Sequence, residues 1–169
     1  PGGSWVTETL ATDSMPFQFQ FDVSASGQPK LVVLDNVSGY TYHTTTSWTS
    51  LHQEIRTFND FGTYPASSID GNGDLHMVYS HPTIEKMYYS TETASGWSNS
   101  EILSNANLSS APSLWFDGAD MHILYRDSSL DRLERVTKSG STWSTATELG
   151  TGEAVGVEHV ALQVPSGPT

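Results

Sequence analysis

The chain is predicted to be all-β, a β-propeller segment of four-stranded antiparallel blades, and three observations predict it. The first is an interval. His76-Met77-Val78-Tyr79 recurs 46 residues later as His122-Ile123-Leu124-Tyr125, Met87 recurs as Leu133, and Trp97 recurs as Trp143. A period of this length held at separate points marks a repeated structural unit. The second is the make-up of each unit: four short apolar segments separated by Gly, Asp, Asn and Ser. The third is composition. Five Trp, seven Tyr and six Phe supply packing area, Ser and Thr are plentiful, and long Lys- or Glu-rich helical runs are missing.

The elements follow in order. Residues 4–10 (SWVTETL) match the end of each repeat: SWTSLHQEI, GWSNSEIL and TWSTATEL. This places a lone outermost strand, D, at the start. Phe17, Phe19 and Phe21 alternate with Gln18, Gln20 and Asp22, the period-two pattern of a strand with one buried face. The first blade spans 17–55, with strands at 17–23 and 30–34, a third opening at Tyr40 and a fourth at Trp48; Ile55 to Tyr64 is then a connection. The second blade spans 64–103, with strands at 67–69, 75–80, 86–91 and 97–103. Its first turn, Asp70-Gly71-Asn72-Gly73, supplies residues that tolerate positive φ. The third blade spans 111–149, with strands at 113–116, 121–126, 132–137 and 143–149. A lone A strand is expected at 156–164. The chain opens PGGSW, without Met, and is expected to be a processed product, an artificially bounded segment or a piece of something longer.

These motifs resemble the sialidase-like (Asp-box-related) propeller repeats of bacteria and archaea. The residues that carry the likeness are Asp70, Gly73, His76, Val78, Tyr79, Tyr89, Gly96, Trp97 and Ser98, then Asp117, Gly118, His122, Tyr125, Gly140, Trp143 and Ser144. Lys30 departs from the pattern, standing where the second and third repeats have His. A looser likeness is to the seven-bladed fucose-binding bacterial lectins, whose repeats carry a similar Gly-Trp-Ser strand. The resemblance implies a fold, not an activity, since many functions share one fold.

Charge narrows the function. Nineteen acidic residues against seven basic give a net −12, which repels phosphate backbones and anionic membrane surfaces. Neither nucleic acid nor membrane is expected as a partner. No apolar run approaches the roughly 18 residues of a helical span. The chain has no cysteine, so disulfides and thiolate metal sites are excluded.

No catalytic constellation stands up. Ser68-Ile69-Asp70-Gly71-Asn72-Gly73 approaches the sialidase box, but its second Gly is one place late and no Trp follows. Arg56, Arg126, Arg132 and Arg135 are the whole arginine supply for a carboxylate-binding triad. The same acidic turn offers oxygens at alternating positions, as calcium loops do, but has Leu75 and His81 where a helix-loop-helix site needs Gly and Glu. No cofactor is expected, calcium being the one ion this turn could hold. His76 and His122 occupy equivalent positions that a propeller axis holds apart, so they are expected to be structural, bonded to backbone near the turn, and no metal site is assigned.

The candidate ligand-binding residues are Trp48, Trp97, Trp143, Tyr89 and Arg126. An indole face can stack on a sugar ring, although a Trp repeated in every blade also suits interblade packing. The expected function is a non-enzymatic extracellular or cell-surface binding or structural module, with glycans as candidate ligands. The alternative is a sialidase-like, glycoside-processing enzyme using paired carboxylates, for which Asp70 and Asp117 are the turn residues. Both flanks of a three-blade arc need neighbours, so a second chain or copy is expected to complete the ring.

Overall fold

The computed structural model describes residues 18–34, 38–43, 52–57, 64–81, 85–93, 95–104, 108 and 110–151. The strands expected at 4–10 and 156–164, and the candidate Trp48, lie outside them. Within the described residues every regular element is a strand, so the chain is all-β. No helix among them is long and apolar enough to cross a membrane.

Three antiparallel sheets follow one another along the chain, none of them closed. The first is β1 (Gln18–Val23), β2 (Pro29–Leu34), β3 (Ser38–His43) and β4 (His52–Thr57), paired in that order. The second is β5 (Ala66–Ile69), β6 (Leu75–His81), β7 (Lys86–Thr93) and β8 (Gly96–Ser104). The third is β9 (Ser113–Asp117), β10 (Asp120–Asp127) and β11 (Arg132–Ser139), after which both β12 (Thr142–Trp143) and β13 (Thr147–Thr151) pair with β11. The first strands β1, β5 and β9 neighbour one another from sheet to sheet.

The hairpin turns explain where the strands end. Asp70 N–H donates to the Asp74 carbonyl at 3.0 Å and Gly73 N–H to the Asp70 carbonyl at 3.1 Å. Gly73 sits at φ +90°, a conformation open to Gly and strained for most residues. The Ser24–Gln28 turn of the first sheet is built alike, with Gly27 at φ +79°.

Because side chains alternate across a strand, the second sheet offers one face to the sheet before it and one to the sheet after. On β6, Leu75, Met77 and Tyr79 are buried with Val32 of the first sheet. Val78 is buried on the other face, among Leu114, Phe116, Met121, Ile123, Tyr125 and Val136 of the third sheet. Two apolar clusters, one per junction, therefore hold the three sheets together.

Three expectations need correction. The face carrying Phe19 and Phe21 is not buried: Phe19 is 70%, Phe21 57% and Val23 48% exposed. It lies opposite Asp22, whose Oδ2 accepts the Ile69 N–H of the second sheet at 2.9 Å, and so points away from that sheet. The segment Ile55–Thr57, expected in a connection, continues β4. The last strand of the third sheet, expected unbroken from Trp143 to Leu149, is split into β12 and β13, with Ser144 N–H and Oγ engaged with Thr137 in the gap.

Candidate functional site at the second junction

Equivalent positions do different things at the two junctions. At the first, Lys30 of β2 pairs with Glu92 of β7 and donates to the Gly73 carbonyl at 2.6 Å. Glu92 also accepts the Leu75 N–H at 3.3 Å. A buried ion pair thus fills the space between the sheets.

Forty-six residues on, Lys30 becomes His76 and Glu92 becomes Lys138. These two cannot pair, and a cleft of about 190 Å³ opens, lined by Asp70, His76 and Tyr89 of the second sheet and Phe116, Met121 and Lys138 of the third. Lys138 turns to the Gly140 carbonyl. Its Nζ lies 5.6 Å from the Tyr89 ring centroid and 5.9 Å from that of Trp143, within cation–π range. Tyr89 and Trp143 meet edge to face with centroids 5.3 Å apart.

His76 organises the second-sheet wall. Its Nδ1 is 2.7 Å from the Tyr89 hydroxyl, and Phe116 meets its ring edge-on at 4.9 Å. Burial pushes the imidazole below its usual pKa, aided by Lys138 and opposed by Asp70 and Asp74. Burial pushes the Tyr89 hydroxyl above its own. The carboxylate of Asp70 facing Nε2 favours the tautomer with the proton on Nε2, in which Tyr89 O–H donates to Nδ1. Nε2 is buried and makes no hydrogen bond with the described residues. Asp70 Oδ2 is the nearest charge at 3.5 Å and accepts from Asn72 Nδ2 at 3.2 Å, while Oδ1 holds the turn, accepting the Asn72 and Asp74 N–H groups at 2.9 Å. Burial raises the Asp70 carboxyl, and those two N–H donors with His76 more than offset it, so its pKa is lowered overall.

Since the imidazole pKa is depressed on folding, the unfolded chain takes up this proton first. The linked stability is fully present above the ordinary histidine pKa of 6.5 and is lost as pH falls below it. Urea midpoints are expected to decline from pH 7 to pH 5, with the decline reduced in His76→Asn; equal slopes in the two proteins would exclude His76 as the cause.

The sequence-derived candidates separate. Tyr89 lines the cleft, and Trp143 packs edge to face on its ring without lining the cleft itself. Trp97 does not join them: it is half-buried against the Leu75, Met77 and Tyr79 cluster of the first junction, its Nε1 buried without a hydrogen-bond partner among the described residues. Arg126 pairs with Asp131 in the β10–β11 turn. The histidines bond to side chains, not to the backbone near the turn as expected, His122 Nδ1 lying 3.0 Å from Thr137 Oγ1. Sequence reasoning missed Lys138 and Phe116. The Glu92-to-Lys138 charge reversal across one repeat was the available signal. Among the described residues no group of three or more His, Asp or Glu could hold a metal ion.

No protein-family model matches the chain, and no curated protein matches it. Among solved structures it is similar to an exo-β-1,3-galactanase from Clostridium thermocellum, at 11% identity and TM-score 0.54, over 79% of this chain and 35% of that one. It is also similar to an α-L-arabinofuranosidase from Fusarium graminearum in complex with an iminosugar inhibitor, at 12% identity and TM-score 0.52, over 77% of this chain and 47% of that one. A fucose lectin from Kordia zhangzhouensis in complex with methyl-fucoside matches at 15% identity and TM-score 0.49, over 75% of this chain and 96% of that one. The chain spans less than half the length of either glycosidase. At these identities the likeness to the two glycosidases is one of fold.

Proposed function

We propose that this chain is a non-enzymatic, carbohydrate-binding segment of a β-propeller, exported to the cell surface or beyond, with its sugar site in the cleft between the second and third sheets. The carrying observation is the Nε2–H of His76, buried with no hydrogen-bond partner among the described residues and with the Asp70 carboxylate standing off at 3.5 Å, on the wall of a cleft that Tyr89 and Phe116 line beside it. A buried donor left unsatisfied costs about 1–3 kcal/mol, which a ligand hydroxyl accepting that proton recovers. Apolar and aromatic walls with few placed polar groups are the usual make-up of a small-molecule site. The cleft is small enough to take one sugar ring rather than a chain. The two glycosidases that share the fold are named for action on saccharides, and this supports the ligand class.

A glycan array followed by calorimetric titration tests the reading. Trp143→Ala, which removes the ring that supports Tyr89 from behind, is expected to weaken the best ligand at least tenfold with the circular dichroism spectrum retained. Trp97→Ala, at the other junction, should lower stability and leave affinity alone. No binding across the array, or equal affinity in Trp143→Ala, would sink the reading.

The fold shared with two glycosidases also favours a second reading, a glycoside-processing enzyme. Against it, Asp70, the carboxylate at the cleft, is engaged by two backbone donors and has a lowered pKa, the opposite of a general acid. Turnover of chromogenic glycosides, abolished by Asp117→Asn, would favour the enzyme.

A further inference from the structure

The three sheets are related position by position, so each junction predicts what the outer faces meet. Across the first two strands, Val23 is paired with Pro29, Ile69 with Leu75, and Phe116 with Met121. These pairs are equivalent. Ile69 and Leu75 pack on Val32 of the sheet before them. Phe116 and Met121 pack on Val78 of the sheet before theirs, with Phe116 edge-on to His76. Val23, the third member, is 48% exposed, and Phe19, on the same face, is 70% exposed. Adjacent half-exposed apolar side chains on one sheet face mark an interaction surface.

The complementary surface is on the third sheet. Asp22 with Lys30, and Ser68 with His76, are the equivalent pairs that face the following sheet. Asp22 and Lys30 grip the second sheet, and His76 meets Phe116 of the third. Their counterparts are Trp115 and His122, paired on β9 and β10 and stacked with centroids 5.2 Å apart. This aromatic pair is the repeat's own surface for covering a residue at the Val23 position.

We infer that the Phe19 and Val23 face of the first sheet docks on the Trp115 and His122 face of the third sheet in a second copy of this chain, head to tail. The contact is heterologous, one patch meeting a different patch, and two copies joined this way close into a ring if the rotation allows. His122 of one copy takes the place against Val23 that His76 takes against Phe116 within the chain. The inference rests on the succession of sheets proposed above and is independent of the sugar ligand.

Light scattering over a concentration series tests it. The wild type is expected to associate into multiples of 18.4 kDa. Phe19→Asp/Val23→Asp and Trp115→Asp/His122→Asp should each be monomeric. Mixed together, the two variants retain one intact pair of faces and should form a heterodimer. A wild type that stays monomeric throughout overturns the inference, as does association that survives either variant, or a mixture that remains monomeric. If the Asp variants lose their circular dichroism signal, Val23→Cys and His122→Cys replace them. The chain has no cysteine of its own, so the mixed proteins should oxidise mainly to the heterodimer; crosslinking no better than either protein alone overturns the contact. None of these residues lines the cleft. Glycan titration of the wild type and of the monomeric variants therefore separates the two ideas: a wild type that associates while no protein binds sugar sinks the ligand and leaves the interface standing.

Discussion

Lys30→Met is expected to lower the unfolding free energy by about 3–5 kcal/mol, because removing one partner of a buried ion pair strands the other charge. The side chains of Lys30 and Glu92 are only 9% and 13% exposed. In the variant, Glu92 keeps the Leu75 N–H and loses its cation, while the Gly73 carbonyl loses the Lys30 donor. A loss of that size is a large share of the roughly 5–15 kcal/mol that holds a domain folded. The double variant Lys30→Met/Glu92→Leu should recover most of it, since an apolar pair of similar volume in place of a buried ion pair is often neutral or stabilising. Urea unfolding of the wild type, Lys30→Met, Glu92→Leu and the double variant gives the coupling energy directly. A Lys30→Met cost below about 1 kcal/mol, the range of an exposed pair, would mean that water reaches the junction.

The same pair shows what the sequence made legible and what it hid. The 46-residue interval located β6 and β10, and put His76 and His122 at one register position, because the number of residues between turns fixes which side chains align. It also marked Lys30 as a departure. The consequence of that departure was not readable, since Lys30 meets Glu92 across 62 residues of chain, a contact set by how sheets stack and not by local pattern. The cleft was hidden for the same reason. Tyr89 and Trp143 were candidates on chemistry alone, and their meeting depends on β7 and β12 coming together across a junction. Equivalence also failed at the histidines. His76 finds the Tyr89 hydroxyl, whereas 46 residues after Tyr89 stands Arg135, so His122 bonds its cross-strand neighbour Thr137 instead. The Phe19 and Phe21 alternation correctly announced a strand. It could not say whether the aromatic face was covered, because period two reports a two-faced strand and not what lies against each face.

The second large effect is expected at Tyr125. This residue is 1% exposed in the middle of β10, and its hydroxyl donates to Glu134 Oε2 at 2.7 Å across the β10–β11 pair. Glu134 is itself 9% exposed. Tyr125→Ala removes a large ring from the second-junction cluster and should cost about 3–5 kcal/mol through lost burial and the cavity left behind. Tyr125→Phe keeps the ring and deletes only the donor, so its cost should be about 1–3 kcal/mol, that of leaving a buried acceptor unsatisfied. The equivalent Tyr79 stacks on Tyr88, at the Glu134 position, with centroids 5.7 Å apart, so the carboxylate acceptor is particular to the third sheet. The hydroxyl also carries a pH signature. Burial, the Glu134 hydrogen bond and the charges of Glu134 and Asp127 push its pKa far above the usual 10.0. Deprotonation is therefore easier in the unfolded chain, and the linked stability is present below pH 10 and lost progressively above it. Alkaline titration of the unfolding midpoint should show a steeper decline above pH 10 in the wild type than in Tyr125→Phe. Parallel declines would place the alkaline sensitivity on other tyrosines, and a Tyr125→Phe variant as stable as the wild type at pH 7 would show that water satisfies Glu134.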